Sequence, residues 1–245
     1  MKKLILVATL LFAPLLAMGS GGHTLEKANI DLTDQASLQR GAKYFVNYCM
    51  GCHSLKYMRY NRMAADLGIG EAELRQNLIF DGSKPGSLMN NAMRPEDGEA
   101  WFGTAVPDLT LVTRWRSPDW LYTYLKSFYA DPSRPYGVNN LIFPNVGMPH
   151  VLAGLQGIQE PVFATHETES GEKVEKVVGV SHPTGGSLTP EAYDGMVRDL
   201  TAFLTYIGEP IRLERQHLGV YVLLFLGLFF IVAYALKKEY WKDVH

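Results

Sequence analysis

Two thiols three positions apart, followed at once by an imidazole, make up the stretch Cys49-Met50-Gly51-Cys52-His53. These residue types at this spacing attach a haem covalently. The cysteines add across its two vinyl groups, and the adjacent histidine reaches the iron from one face. Met50 and Gly51 need only let the chain turn between the two thioethers. The chain has two cysteines in all, and both fall in this motif. A CxxC pair also serves as a redox dithiol or as half of a zinc site. The first expects a thioredoxin-like βαβ context and the second a further ligand pair, and neither is visible in the sequence. One covalently attached haem c is therefore the expected cofactor, with Cys49 and Cys52 holding it and His53 as a ligand to its iron.

A second axial ligand has several candidates. Asn139 to His150 reads as an apolar loop stiffened by Pro144 and Pro149, with Met148 between Gly147 and Pro149. A thioether is a soft ligand that raises the reduction potential of a haem relative to a second histidine. Nine methionines are present, and a lone one usually fills core. His150 in the same loop and Met196 further on remain rivals to Met148. A haem also brings two propionates into a mostly apolar pocket, and arginine binds carboxylates bidentately while staying charged. Arg114 and Arg116 are the candidates there, set against plain surface charge.

The elements that must position these groups are legible in outline. Thr33 or Asp34 caps a helix running through Leu38, Ala42, Phe45 and Cys49, which puts the attachment motif at a helix C-terminus. Gly41 weakens that helix unless another crosses closely there. The helix opened by Thr189-Pro190-Glu191 carries Met196, Leu200, Leu204 and Ile207 on one face, stops at Gly208, and is placed to be that partner. Ser54 to Arg62, rich in tyrosine and basic residues, reads as a solvated amphipathic helix. Residues 82–108, rich in turn signals, read as a long loop wrapped around something, and a haem edge would serve. Ser117-Pro118-Asp119 starts a helix that carries Trp120, Leu121, Tyr124 and Leu125 and stops near Asp131-Pro132. Residues 160–186 hold a hairpin of Val162-Phe163-Ala164 and Val177-Val178-Gly179-Val180 about the turn Ser170-Gly171. Glu167, Glu169 and Glu172 lie at that turn, either as an exposed loop or as a docking feature for a basic partner.

Length and charge bound the rest. The 245 residues allow one medium domain with accessories, and a net charge of −2 gives no electrostatic case for nucleic acid. Residues 1–19 have a basic start, a short apolar run and a small-residue exit, which reads as a cleaved secretory signal rather than an anchor. From His217 to Leu236 the chain is uncharged and apolar on every face, long enough to cross a bilayer. Lys237, Lys238, Tyr240, Trp241 and Lys242 form a basic and aromatic border after it. The expected organisation is a signal peptide at 1–19, a periplasmic haem c domain at 20–210, a transmembrane helix at 217–236 and a cytoplasmic tail at 237–245. That places the chain, single-pass, in a bacterial inner membrane.

The order of motifs is more specific than CxxCH alone. Arg40-Gly41 leads to Tyr48-Cys49-Met50-Gly51-Cys52-His53-Ser54-Leu55, then Pro107-Asp108-Leu109, then Pro144 and Gly147-Met148-Pro149. Phe203-Leu204, Gly208-Glu209-Pro210 and one C-terminal span complete it. In this order the chain resembles the cytochrome c1 family, the haem c subunits of quinol–cytochrome c oxidoreductase (bc1) complexes. The resemblance implies a mainly α fold: a class I c-type cytochrome core with long loop insertions and one C-terminal transmembrane helix. It implies Cys49 and Cys52 as thioether residues, His53 as proximal and Met148 as distal iron ligand, and Arg116 as a propionate contact. It implies cytochrome b, the Rieske iron–sulfur protein and a soluble cytochrome c as partners. Two other readings stand beside this electron relay, which would be no enzyme on its own. One is a free-standing anchored cytochrome c that shuttles electrons to an oxidase or reductase. The other is a haem sensor or peroxidase with an open sixth position. The short stretch Glu209 to Gln216 between the last soluble helix and the span argues against the shuttle's usual flexible tether.

Overall fold

The computed structural model describes residues 23–167 and 173–243; the expected signal peptide and the Glu169 and Glu172 turn lie outside them. The architecture is mostly helical, as expected, with four two-stranded sheets among the described residues. Helix α1 (Gln35–Tyr44) opens on Asp34, whose carboxylate accepts from the Ser37 N–H. It passes directly into a π turn, Phe45–Cys49. Strand β1 (Leu55–Arg59), α2 (Tyr60–Asp66), α3 (Glu71–Asn77), β2 (Leu88–Met89) and α4 (Pro95–Phe102) follow. Then come α5 (Val112–Trp115), α6 (Pro118–Lys126) and the paired strands β3 (Phe128–Ala130) and β4 (Val138–Asn140). Beyond them lie α7 (Ala153–Gln156), β5 (Gly157–Ile158), the hairpin β6 (Pro161–Glu167) and β7 (Lys173–Val180), and β8 (Thr184–Gly185). Two long helices close the chain, α8 (Pro190–Gly208) and α9 (Arg212–Tyr240).

The core is built where α1 crosses α8. A Cβ on Gly41 would sit 2.2 Å from the Asp199 carbonyl oxygen and 2.5 Å from the Phe203 Cβ, so only glycine permits this approach. Val197, Leu200, Phe203 and Leu204 of α8 are all buried beside Ala42 and Phe45. Each such side chain contributes about 1.5–3 kcal/mol on burial. At the same crossing Asp199 takes a two-point contact from Arg40, at 2.6 and 3.0 Å, and a 2.6 Å bond from the Ser37 hydroxyl. Half of the Arg40 side chain is exposed (51%), so water screens the pair, and apolar packing is the larger effect.

Several local expectations give way to tertiary pairing. Ser54 to Arg62 is not one amphipathic helix: Leu55–Arg59 is extended and pairs with Leu88–Met89, with Leu55 and Met58 buried, before α2 begins at Tyr60. The partner strand lies in a stretch whose composition reads as loop, so the pairing has no local signal. That stretch also holds α4, with Pro95 in its first turn, Glu96 and Asp97 behind it and left-handed Gly103 (φ 75°) as its stop. Helix α6 ends at Lys126, short of Asp131, because Phe128–Ala130 turns away to pair with Val138–Asn140.

Helix α9 spans 29 residues, about 40 Å, and none of them is buried. It is the one helix among the described residues long and apolar enough to cross a membrane. It begins at Arg212, before the expected His217, which leaves Glu209, Pro210 and Ile211 as the connection to α8. The end of α8 is held as well: the Thr113 hydroxyl donates to the Leu204 carbonyl, and Gly208 lies against α5.

His150 belongs to the same core, its ring stacked on Phe128 with centroids 4.8 Å apart and planes 2° from parallel. Burial pushes its pKa from 6.5 down to about 4. Two outcomes follow from this packing. Gly41→Ala should lower the denaturation midpoint of the haem-loaded chain by the equivalent of about 1–3 kcal/mol, the usual cost of overpacking; an unchanged midpoint would show that the crossing relaxes freely. Because the unfolded chain protonates His150 first, its contribution to stability is complete above pH 6.5 and is lost as pH falls toward about 4. His150→Phe should flatten that part of a denaturation-against-pH profile.

Candidate functional site: an apolar haem cleft

The attachment motif sits where α1 stops being an α-helix. In the π turn the Met50 N–H bonds back to the Phe45 carbonyl at 2.9 Å, a reach of five residues that widens the last turn. The Cys49 carbonyl then accepts from both Cys52 N–H (3.1 Å) and His53 N–H (2.9 Å), which folds the motif into a tight loop. Cys49 and Cys52 are both free thiols. Burial pushes the Cys49 thiol up to about 12, with the Cys52 charge adding to it. A redox dithiol needs the opposite shift. Nor do three or more His, Cys, Asp or Glu side chains gather as a metal set among the described residues.

His53 is fixed from a distant part of the chain. Its Nδ1 lies 2.8 Å from the Pro107 carbonyl oxygen. A carbonyl only accepts, so Nδ1 carries the proton and donates, and Nε2 keeps the lone pair that an iron needs. Burial lowers the His53 pKa, against smaller opposing effects from Pro107 and Asp108, which keeps the ring neutral. The Pro107 strap is itself tied down: Leu109 N–H donates to the Ser54 carbonyl at 3.0 Å. The Asp108 carboxylate accepts from the Lys56 and Thr110 N–H groups at 2.8 and 3.0 Å.

Met148 meets these groups in one apolar cleft. Tyr48, Cys49, Cys52 and His53 line it together with Gly147, Met148, Pro149 and Val151, and Phe102, Thr104, Val106 and Pro107 complete the lining. A Cβ on Gly147 would lie 2.8 Å from the Phe102 carbonyl oxygen, so the residue before Met148 must be glycine for the loop to close on α4. The Tyr124 hydroxyl lies 3.4 Å from the Met148 sulfur, within donating distance. Of the three rivals for the second ligand, only Met148 lines the cleft. His150 stacks on Phe128, and Met196 is 3% exposed in the α8 core. An apolar slot with two thiols, a neutral imidazole offering Nε2 and a thioether is a donor set that fits haem c.

Arg116 lies outside that lining. Its guanidinium sits 4.0 Å from the Trp115 ring centroid, 5.0 Å from Trp120 and 5.7 Å from Phe143. Trp120 in turn stacks on Tyr124 at 4.9 Å, so an aromatic column connects the arginine with the residue that touches Met148. Sequence reading placed Tyr124 on its helix but gave it no role at the site. No local pattern marks it, because its target is 24 residues away in an irregular loop.

Comparison with known proteins places the chain in a family. A profile described as the Cytochrome C1 family matches residues 26–244. Over the whole length of both proteins the chain is 66% identical to a protein named cytochrome c1 from Allochromatium vinosum. It is 48% identical to one named ammonia monooxygenase gamma subunit from Nitrosomonas europaea, covering all of this chain and 99% of that one. A protein named cytochrome b/c1 from Bradyrhizobium diazoefficiens is 27% identical, covering 86% of this chain and 34% of its own length. A full-length relative at two-thirds identity and a profile over residues 26–244 leave one assignment: the chain belongs to the cytochrome c1 family.

Proposed function

We propose that this chain is the membrane-anchored electron relay of a quinol–cytochrome c oxidoreductase, taking one electron from a Rieske iron–sulfur protein and passing it to a soluble cytochrome c. Family membership supplies the coarse part, a haem c electron-transfer subunit of a bc1-type complex. The observation that carries the finer reading is the convergence of His53 and Met148 on one apolar cleft at the CxxCH motif. When bound, haem c supplies one-electron chemistry at an iron whose oxidation state changes while its ligands stay.

Each residue then has a stated task. Cys49 and Cys52 would hold the group through thioethers, and the bonds from the Cys52 and His53 N–H groups to the Cys49 carbonyl fold the loop between them. His53 would hold the iron through Nε2, because Pro107 keeps the proton on Nδ1. Met148 would offer its thioether to the iron, with the Tyr124 hydroxyl 3.4 Å from that sulfur. Arg116, held by three aromatic rings, would meet a propionate only by leaving part of that cage, and we keep it as a proposed contact. With both His53 and Met148 lining the cleft, each would be available to the iron, which favours electron transfer over the sensor or peroxidase reading.

The anchor supports a fixed station over a free shuttle. Only Glu209, Pro210 and Ile211 join α8 to α9, and the Arg215–Glu209 ion pair spans that joint. The organisation that goes with this reading has the 1–19 leader removed, the haem domain in the periplasm and α9 crossing the inner membrane beside cytochrome b. The cytochrome b/c1 protein of Bradyrhizobium diazoefficiens, by its name, joins those two parts, which supports the pairing.

Met148→Leu in the full-length chain should abolish the methionine-to-iron absorption band of the ferric protein, lower the reduction potential and let carbon monoxide bind the ferrous form. An unchanged spectrum would remove Met148 from the site. Gentle detergent extraction of the native membrane should bring b-type haem bands with the c-type band in a fixed ratio. A c-type band alone would favour the free shuttle.

A further inference from the structure

Asn140, the last residue of β4, is fully buried at 0% exposure, yet every polar group on it is used. Its Oδ1 accepts from the Ile142 N–H at 3.1 Å, the Phe143 N–H at 3.2 Å and the Ser127 hydroxyl at 3.3 Å. Its Nδ2 donates to the Tyr124 carbonyl oxygen at 2.8 Å. With donors facing one end of the amide and a carbonyl facing the other, oxygen and nitrogen cannot trade places. Aspartate would set a negative charge against the Tyr124 carbonyl, and an apolar residue would strand two backbone N–H groups away from water.

What these bonds join matters more than their number. Ile142 and Phe143 begin the irregular loop that ends at Met148, while Tyr124 and Ser127 are the end of α6. Tyr124 is also the residue whose hydroxyl meets the Met148 sulfur. The next residue back, Asn139, staples the middle of the loop. Its Oδ1 accepts from the Asn145 N–H at 2.8 Å, where the chain turns left-handed at φ 63°. Arg134 donates to the Asn145 carbonyl at 3.0 Å. The loop thus leaves the sheet, is tied twice, and reaches the cleft with little freedom left.

We infer that Asn140 is a positioning residue for Met148: its buried amide locks the start of the ligand loop to the helix end that carries Tyr124, and so holds the thioether at the cleft. This rests on Met148 being the distal ligand. Without the lock, the loop regains conformational freedom that one thioether bond must overcome, and the sulfur leaves the cleft for part of the time.

The test uses the full-length, haem-loaded chain with Asn140→Ala and the milder Asn140→Ser, beside Met148→Leu. Covalent haem content and far-UV circular dichroism report attachment and folding. The methionine-to-iron band, the reduction potential and carbon monoxide binding to the ferrous form report the ligand itself. The Asn140 variants should keep the haem, lose part of the band, shift to lower potential and raise the carbon monoxide-reactive fraction at least about tenfold, equivalent to about 1.4 kcal/mol. If Met148→Leu removes the band while both Asn140 variants keep the band, potential and inertness of the parent, the inference on Asn140 is wrong and the ligand stands. If Met148→Leu leaves the band in place, the ligand assignment itself falls, and the inference with it. Should neither Asn140 variant fold, amide hydrogen exchange in the unsubstituted chain decides. Ile142 and Phe143 amides exchanging as slowly as core amides support the lock, and exchange at the rate of an exposed loop overturns it.

Discussion

Everything at the haem cleft depends on how closely α1 can approach α8. The Gly41 Cα faces the Asp199 carbonyl with no room for a methyl group, and that contact sets the height at which α1 runs into its π turn. Cys49 ends that turn and Cys52 follows three residues on, so the helix crossing fixes where the attachment motif lies. The packing is supported by several fully buried apolar side chains, among them Val197, Phe203 and Ala42. The Arg40–Asp199 pair and the Ser37 hydroxyl sit at the rim of the same contact and fix its rotation more than its strength.

Around this rigid corner the site is completed by two straps from distant parts of the chain. The Pro107 strap supplies one carbonyl, which decides the tautomer of His53 and therefore which nitrogen can serve a metal. The loop after β4 supplies Met148, and glycine before it lets the backbone pass under the Phe102 carbonyl. Neither strap is regular secondary structure. Each is held by side chains that pair with backbone N–H groups, Asp108 for the first and Asn139 and Asn140 for the second. Irregular backbone buried near an apolar cleft has to be satisfied in this way, since no ladder is available to do it.

The same logic runs on to the membrane. Helix α5 touches the end of α8 through Thr113 and Gly208, and α9 starts four residues after Gly208. Cleft, core and anchor therefore share one chain of contacts.

The sequence by itself determined whatever chemistry lies within a few residues. The CxxCH spacing, the Asp34 and Ser117 caps, the Thr189–Gly208 helix with its crossing at Gly41, the hairpin and the apolar C-terminal helix were all legible, because caps and periodicity act over one or two turns. Tertiary structure alone decided the rest. Leu55–Arg59 became a strand because Leu88 and Met89 offered it a ladder. Arg116 settled among Trp115, Trp120 and Phe143. Met148 prevailed over His150 and Met196 as a cleft residue because Phe128 and the α8 core claimed the other two. The proton on His53 was set by a carbonyl 54 residues away. Such pairings depend on which distant groups arrive in one place, and that follows from how the core packs rather than from any residue's neighbours along the chain.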